Sequence, residues 1–223
     1  MDNRSAFAVN QYDENVRKVI PFYDEIYDQI FRVIETYSGH QPLKILDTGC
    51  GTGTFALKAL KRLSVSEMVL CDPSEKMLTD AKRKLHQEAC QFLNIGSEQL
   101  PFEESFDVVT AIQSHHYFTG AAREQAVSRC FRALKSGGLF ICVENTAPLT
   151  DTGKNLLLRR LEAFEREAGR TEEEITAHSA RYGREFFPIT IPDHLELLRK
   201  TGFGTAELFW HSYMQSGFYA LKD

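Results

Sequence analysis

The chain has 223 residues, a formal net charge of −5 and a pI near 5.8. This acidic balance argues against a general attraction to nucleic-acid backbones. Hydrophobic residues make up 43 % of the chain, too many for a disordered protein, and no apolar run reaches the roughly 18 residues of a membrane span. The five cysteines lack CxxC spacing and no signal peptide is evident, so we expect a cytoplasmic protein.

Helical and strand-like patterns alternate along most of the chain. Apolar residues recur at helical spacing over residues 10–37 and predict two helices broken at Pro21. Strands are predicted at residues 44–50, 67–74, 90–96, 106–114 and 138–145, and helices at residues 54–63, 74–89 and 123–134. Regular alternation of this kind is typical of a doubly wound α/β fold with a parallel sheet.

The last third of the chain departs from this rhythm. Residues 152–182 are helical and highly charged, and a helix over 193–202 then restores the alternation. Two β-prone runs, 206–213 and 216–223, predict a terminal antiparallel hairpin at the sheet edge. We therefore expect one domain, residues 1–223, with a seven-stranded, mostly parallel sheet. A helical cap is expected from residues 1–37 and about 150–190.

A glycine-rich turn follows the first predicted strand. Residues 47–53 read Asp-Thr-Gly-Cys-Gly-Thr-Gly and precede an amphipathic helix. Glycines here let the backbone turn sharply and approach a ligand closely. The alternative is that they only allow the helix and strand to pack. Cys50 is interpreted as a small space-filling side chain, because no base beside it is identifiable.

Asp72 favours ligand binding at this turn. It ends the second predicted strand, where a carboxylate can accept hydrogen bonds from both ribose hydroxyls. The dinucleotide pattern GxGxxG would need glycine at position 54, but the chain has Thr54. A carboxylate at Asp47 suits an ammonium group and would repel a pyrophosphate. These features predict S-adenosylmethionine (SAM), which has an ammonium and a sulfonium group, with S-adenosylhomocysteine (SAH) as product.

Over residues 45–144 the chain resembles the class I SAM-dependent methyltransferases, through ILDTGCGTG, CDPSEKML, LPFEESFDVV and LKSGGLFICVE. The resemblance implies a Rossmann-like methyltransferase fold in which the glycines pass under the methionine moiety, Asp72 binds the ribose and Met77 packs on the adenine. Ser97 and Glu98 are alternatives for the contact with the adenine amino group. The implied cofactor-binding residues are Asp47, Gly49, Cys50, Gly51, Gly53, Asp72, Pro73, Met77, Ser97, Glu98, Gln113, Tyr12 and Tyr23.

Both ends of the chain resemble the carboxy-SAM synthase and tRNA wobble-uridine methyltransferase-like branch, through YDENVRKVIPFYDEI and HLELLRKTGFGTAELFWHSYMQSGFYALK. In that branch an arginine grips the extra carboxylate of carboxy-SAM. An alignment on His194 and Gly202 puts Leu197 at this position. Arg199 lies on the same predicted helix in a different register. The resemblance therefore favours plain SAM over its carboxy derivative.

Other residues are candidates for catalysis or acceptor binding. His115 and His116 follow the fourth predicted strand, so one of them is a candidate general base, with a loop histidine pair as the alternative. By resemblance Tyr12 and Tyr23 close over SAM, with helix packing as the alternative. The tentative acceptor-binding residues are Arg181, Tyr182, Trp210 and Tyr213, although core packing also accounts for Trp210. No spacing suggests a metal site.

The expected function is methyl transfer from SAM to a small or medium acceptor by SN2 attack. One alternative is a carboxy-SAM synthase-like enzyme of tRNA wobble-uridine modification. Another is a SAM-binding module without catalysis. The expected partner is a small-molecule acceptor; RNA is not favoured by the net charge of −5, a homodimer is possible, and no membrane contact is expected.

Overall fold

The computed structural model describes residues 12–223, and a seven-stranded sheet forms its centre. The strands are β1 (Leu43–Thr48), β2 (Val65–Cys71), β3 (Cys90–Leu93), β4 (Phe106–Ile112), β5 (Leu134–Asn145), β6 (Thr205–Ser212) and β7 (Gln215–Leu221). Their order across the sheet is β3-β2-β1-β4-β5-β7-β6. Only β7 is reversed, pairing antiparallel with β5 and with β6. The predicted sheet, with its one reversed strand and terminal hairpin, is confirmed.

Helices cover both faces of the sheet. They are α1 (Tyr12–Asn15), α2 (Tyr23–Ser38), α3 (Thr54–Arg62), α4 (Glu75–Lys84), α5 (Gly120–Ala133), α6 (Asp151–Glu167), α7 (Glu172–Ser179) and α8 (Ile191–Thr201). One hydrophobic core contains the buried faces of α2 and α3, and a second contains those of α5 and α8. The central strands are buried on both sides because each face of the sheet has its own helical layer.

Parallel pairing brings the ends of three strands to one edge. In β1, Asp47 lies opposite Leu70 of β2 and Thr110 of β4. The loops that follow these strands therefore meet at the carboxyl edge of the sheet, where doubly wound folds bind ligands. β5 begins four residues earlier than the predicted position 138, because Leu134 pairs with Phe106 before a shift in register.

Two helical segments lie outside the regular alternation. The first contains α1, a 3-10 turn at Val16–Lys18 and α2, with the predicted break marked by the left-handed backbone of Phe22. The second contains α6 and α7, whose first turns are capped by Thr150 and Thr171. The predicted cap began at residue 1, but residues 1–11 lie outside the described part of the chain.

Within residues 12–223, no helix combines the length and apolar character that crossing a bilayer requires. Across the same range, no three His, Cys, Asp or Glu side chains gather in a way that could hold a metal ion. All five cysteines are free thiols.

Candidate active site

A cavity of about 280 Å³ opens at the carboxyl edge of the sheet. The predicted cofactor-binding residues that line it are Tyr12, Tyr23, Asp47, Gly49, Cys50, Gly51, Asp72, Pro73, Met77, Ser97, Glu98 and Gln113. The sequence interpretation missed other lining residues, namely Tyr27, Thr52, Thr54, Phe55, Ser74, Gly96, Ile112, Ser114, Tyr117 and Phe118. The cavity is therefore built mainly from the loops that follow β1, β2 and β4, together with α1 and α2.

The three glycines of the turn have different roles. A Cβ at Gly49 would lie 2.4 Å from Cβ of Ser114, so this glycine permits the close approach of two loops. Gly51 has φ +55° and a Cβ there would meet no atom within 4 Å, so its missing side chain leaves the cavity open. Gly53 does not line the cavity, contrary to its predicted role. Its Cβ would lie 3.2 Å from Ala81 of α4, so the glycine allows α3 and α4 to pack.

Asp72 fixes the shape of the glycine turn. One carboxylate oxygen accepts a hydrogen bond from the backbone N–H of Gly51 at 2.9 Å. The other accepts one from the backbone N–H of Ser74 at 2.8 Å. Each carboxylate oxygen has a second lone pair, so Asp72 can also accept hydrogen bonds from the hydroxyls of a ribose in the cavity.

Asp47 places a buried carboxyl group under the same turn. Oδ1 accepts a hydrogen bond from the Thr110 hydroxyl at 2.7 Å. Oδ2 is buried and has no hydrogen-bond partner among the described residues. Burial raises the pKa of Asp47 to about 7, although the bond from Thr110 acts in the opposite direction. A cationic ligand group would stabilise the ionised form and provide the missing partner.

The cavity lining also contains the candidates for adenine recognition. Met77 is buried and lines the cavity. The Ser97 hydroxyl is 2.7 Å from that of Thr48, so Ser97 already has a partner. Oε2 of Glu98 is buried without a partner in the described chain. Between the two predicted candidates, Glu98 therefore has the acceptor atom available for an amino group.

Hydrogen bonds to Asp13 anchor helix α1 beside the cavity. The Asp13 carboxylate accepts hydrogen bonds from the Thr52 hydroxyl at 2.8 Å and from Nζ of Lys84 at 2.6 Å. These contacts hold the neighbouring Tyr12 against the cavity. Tyr23 also lines the cavity and lies 3.2 Å, hydroxyl to hydroxyl, from Tyr27. Tyr12 and Tyr23 therefore line the cavity, as the resemblance implies. Both also pack against the hydrophobic core, which was the alternative interpretation.

The two adjacent histidines differ in their surroundings. His116 has its Nδ1 3.1 Å from a carboxylate oxygen of Glu144. The same carboxylate accepts hydrogen bonds from the backbone N–H groups of His115 and His116. Burial would raise the pKa of Glu144, but the hydrogen bond and charge of His116 outweigh it and the pKa lies below its usual value. Glu144 is thus an ionised partner for His116 that the sequence interpretation did not find.

His115 is not positioned as a general base, which leaves His116 as the candidate of the predicted pair. It is 2 % exposed and lines neither the main cavity nor the space beside it. Its ring packs between those of Phe118 and Phe140. Burial lowers its pKa to about 4, which keeps the imidazole neutral at physiological pH.

A second chamber of about 50 Å³ adjoins the main cavity. Tyr12, Gln113 and Tyr117 line both spaces. Both helical segments contribute to the chamber, for example through Val16 and Leu161. Its other lining residues are Val19, Ile20, His116, Asn145, His178, Arg181, Phe186, Met214 and Gln215.

Only Arg181 of the four tentative acceptor residues lines this chamber. Tyr182 lies beneath the Lys154 ammonium, 4.3 Å from ring centroid to Nζ. Trp210 is on β6 and packs against the core beneath α2. Tyr213 lines a separate groove and stacks under Arg160. The structure therefore does not bring these four tentative acceptor-binding residues together.

Leu197 and Arg199 also lie away from both spaces. Leu197 packs into the core between α8 and the sheet. Arg199 is exposed and pairs with Glu196 at 3.2 Å. The comparison of these two positions therefore does not decide which donor this chain binds.

The residues present fit SAM. Among the described residues, those lining the main cavity include the carboxyl groups of Asp47, Asp72 and Glu98 but no Lys, Arg or His. This negative lining suits a ligand with an ammonium and a sulfonium group. The open space over Gly51 and the buried Oδ2 of Asp47 are where such a ligand would approach the turn.

Comparisons with known proteins agree with this geometry. Residues 45–138 match the family model of a methyltransferase domain. A carboxy-S-adenosyl-L-methionine synthase from Nautilia profundicola is 23 % identical over 91 % of this chain and 87 % of its own. A demethylmenaquinone methyltransferase from Lactococcus lactis is 32 % identical over 66 % of this chain and 64 % of its own.

The fold has close counterparts among solved structures. Magnesium protoporphyrin IX methyltransferase from Synechocystis, crystallised with SAH, superposes with a TM-score of 0.66 at 16 % identity. The match covers 93 % of this chain and 86 % of that protein. The family match and the shared Rossmann-like fold agree with the glycine turn and its two aspartates. The chain thus contains, over residues 45–138, a segment that matches the methyltransferase domain family, and its fold is that of solved methyltransferases.

Proposed function

We propose that this enzyme transfers the methyl group of SAM to a small acceptor that enters the chamber beside the main cavity. The observation that carries the proposal is the arrangement of the two spaces. A negatively lined cavity suited to SAM meets, across Gln113 and Tyr117, a chamber that contains a histidine held by a buried carboxylate. Donor and acceptor would thus be held side by side.

The chain's residues would bind the donor through complementary charge and hydrogen bonds. Asp72 accepts from the ribose hydroxyls, Glu98 accepts from the adenine amino group, and Asp47 neutralises a cationic group at the methionine end. Tyr12, held in place through Asp13, covers the ligand and excludes water. When bound, SAM supplies a methyl carbon whose bond to sulfur breaks, leaving the electron pair on sulfur, as the acceptor's lone pair forms the new bond.

His116 is the proposed general base. Glu144 is ionised, so Nδ1 of His116 donates to it and the lone pair of the ring is on Nε2. Nε2 is on the ring edge opposite Nδ1, and His116 lines the chamber. It would accept the proton that the acceptor loses. Glu144 orients the ring and stabilises the imidazolium that results.

Both helical segments contribute residues to the proposed acceptor chamber, which supports a single SAM-binding domain. Residues from the α1 segment and from the α6–α7 segment both line the chamber. The free thiols of all five cysteines support a reducing compartment, the cytoplasm, as its location. The small volume of the chamber, about 50 Å³, favours a small-molecule acceptor.

Carboxy-SAM synthesis is the second candidate function. It is favoured by full-length similarity to proteins of that name, including one from Trichodesmium erythraeum that is 26 % identical over 98 % of this chain. Against it, the described lining of the main cavity offers an additional carboxylate no cationic partner, and an unpaired carboxylate is costly to desolvate.

The test uses wild type, His116→Gln and the control His86→Gln, which alters an exposed histidine. SAM affinity is measured by calorimetry, and SAH formation is measured with a fractionated extract of small metabolites. We expect SAH formation by wild type and by the control, and a loss of about 100-fold or more in His116→Gln with SAM affinity unchanged. Tight SAM binding by wild type without SAH formation in any fraction would contradict methyl transfer.

A further inference from the structure

His178 forms a second histidine–carboxylate pair beside the chamber. It is on α7, and its Nδ1 lies 2.5 Å from a carboxylate oxygen of Glu165, a residue of α6 that is 1 % exposed. Glu165 also pairs with Arg170, whose side chain is 7 % exposed. A buried carboxylate that already balances a guanidinium orients the His178 ring, with Nδ1 as the donor. The lone pair of the ring is then on Nε2.

The rings of His178 and His116 reach the same chamber from different layers of the protein. His116 follows β4 and His178 belongs to the α6–α7 segment, and both line the chamber. Phe186 contacts both rings, with centroid distances of 6.1 Å to His116 and 6.5 Å to His178. Neither Nε2 atom receives a hydrogen bond from the described residues. Two hydrogen-bond acceptors are therefore open to one ligand.

Gln215 adds a third acceptor to the chamber lining. It is 3 % exposed, and its Oε1 is buried without a hydrogen-bond partner among residues 12–223. Its Nε2 donates to Oδ1 of Asn145 at 2.9 Å, so Oε1 is the atom left over. Buried polar atoms are normally satisfied, so an acceptor of this kind indicates a ligand that donates hydrogen bonds.

Gln113 supplies a complementary donor. Its Nε2 is buried and has no partner within the described chain, and the residue lines both spaces. A hydroxyl group donates one hydrogen bond and accepts others, so it can satisfy this donor as well as the acceptors of the chamber. An ammonium group only donates. Arg181 of the chamber pairs with Glu185 at 2.7 Å, and its positive charge disfavours an ammonium ligand. The chamber is thus suited to hydroxyl groups.

We propose that His178 binds the methyl acceptor beside His116, and that the acceptor is an uncharged aromatic molecule with hydroxyl groups on two adjacent carbons. This inference rests on the methyl transfer proposed above. One hydroxyl donates to Nε2 of His178 and keeps its proton. The other loses its proton to Nε2 of His116 while its oxygen forms a bond to the methyl carbon of SAM, and the electron pair of the broken bond stays on sulfur. The products are a monomethyl ether, SAH and a proton.

The size and lining of the chamber favour an aromatic 1,2-diol. Its volume of about 50 Å³ admits on the order of three to five heavy atoms, since one water needs about 10–15 Å³ of it. An O–C–C–O unit is of this size. Phe186, Leu161 and Met214 line the chamber and suit the ring carbons next to the hydroxyl groups. A phenolic hydroxyl, with a pKa of about 10 as in tyrosine, also gives up its proton to a histidine more readily than an aliphatic hydroxyl does.

The test compares wild type with His178→Asn and His178→Gln. The shorter carboxamide of Asn can still donate to Glu165 but places no acceptor where Nε2 was, whereas the longer Gln can place Oε1 there. His86→Asn is the control, since it alters an exposed histidine. Each protein is first titrated with SAM by calorimetry, and its fold is checked by circular dichroism. The SAH-loaded proteins are then titrated with catechol and with phenol, the reference that has a single hydroxyl.

We expect catechol to bind SAH-loaded wild type at least about tenfold more tightly than phenol. His178→Asn should lose this preference while its SAM affinity stays within about twofold of wild type. His178→Gln should regain part of the preference, and His86→Asn should match wild type. A merely structural loss would weaken the binding of both probes together and leave their ratio unchanged. With SAM present, wild type should convert catechol to its monomethyl ether, and the KM for catechol should rise by about tenfold in His178→Asn.

Catechol that binds wild type no better than phenol, or a preference that persists in His178→Asn, would overturn the proposal. SAH formation by wild type from a metabolite fraction, without a preference for catechol, removes this acceptor class and leaves methyl transfer standing. Failure of wild type to bind SAM removes methyl transfer itself, whichever probe binds.

A His178→Asn variant that fails to fold is replaced by nitrogen-15 NMR of histidine-labelled wild type. Catechol should shift the Nε2 signals of two histidines, because each hydroxyl contacts one ring, and phenol should shift the signal of one. Identical shifts with both probes would contradict the role of His178.

Discussion

The carboxylate of Glu144 accepts hydrogen bonds from both the backbone N–H and Nδ1 of His116, at 2.6 and 3.1 Å. This double contact fixes the ring of a histidine that lines the chamber. Glu144→Gln should leave at least one buried N–H group without an acceptor and lower the free energy of unfolding by about 1–3 kcal/mol. Urea denaturation measures this change.

Glu196→Gln is the control for Glu144→Gln, because Glu196 is half exposed and paired only on the surface of α8. It should change stability by less than about 0.5 kcal/mol. The pKa of Glu144 is lowered in the folded state, so its stabilising effect is present above its unfolded pKa and is lost as pH falls through the folded value. Equal stability of wild type and Glu144→Gln at neutral pH would contradict the assigned contacts.

Asp47 should couple SAM binding to proton release. Burial raises its pKa to about 7, so the free protein holds this proton below that pH, whereas a cationic ligand favours the ionised form. SAM affinity should therefore fall by about tenfold between about pH 7.5 and pH 5.5. Calorimetry in buffers of different ionisation enthalpy should show proton release near the lower pH. In Asp47→Asn the release should vanish; its persistence would assign the proton to another group.

Asp72 should contribute to SAM binding beyond its structural bonds to the turn. Asp72→Asn retains one carboxamide oxygen as an acceptor but loses the charge and the second oxygen. The loss of SAM affinity should be about 1.5–3 kcal/mol, or roughly ten- to 150-fold, as for hydrogen bonds to a charged acceptor. Asp80→Asn, which alters a carboxylate of α4 paired with Arg83, is the control. Unchanged calorimetric affinity in Asp72→Asn would remove the residue from the ribose site.

Gly51 should be required for binding because its missing side chain keeps the cavity open. Gly51→Val should abolish SAM binding. Gly39→Val is a matched control, because Gly39 has φ +53° against +55° for Gly51 and a Cβ at either position meets no protein atom within 4 Å. Both variants should lose similar stability, on the order of 1–2 kcal/mol from left-handed strain. Normal SAM affinity in a folded Gly51→Val protein would place the ligand elsewhere.

The sequence was most informative where local patterning and ligand chemistry coincide. The turn at residues 47–53 and Asp72 predict a ligand crevice, and the structure places both on the main cavity. Glu144 was missed because it reads as the polar end of a buried strand. The carboxyl end of a parallel strand opens onto the crevice, and that position is the signal that could have identified it.

Side-chain direction was harder to predict than element type. His115 and His116 are adjacent in sequence, and only the 3-10 turn after β4 decides which one faces the chamber. Helix α8 was predicted correctly, yet its packing against α5 turns Leu197 into the core. An alignment of residue positions along a helix does not show which neighbouring elements that helix packs against. Trp210 packs against the core, which is the alternative that the sequence had left open for it.

The account's central claim is that the cavity at the carboxyl edge of the sheet holds SAM as a methyl donor. Mass spectrometry of small molecules that co-purify with the native protein tests it most directly, with Gly51→Val purified in parallel to exclude carry-over. We predict SAM or SAH in the wild-type sample and neither in the variant. Carboxy-SAM as the main ligand of wild type would contradict methyl transfer and establish the carboxy derivative as this chain's ligand.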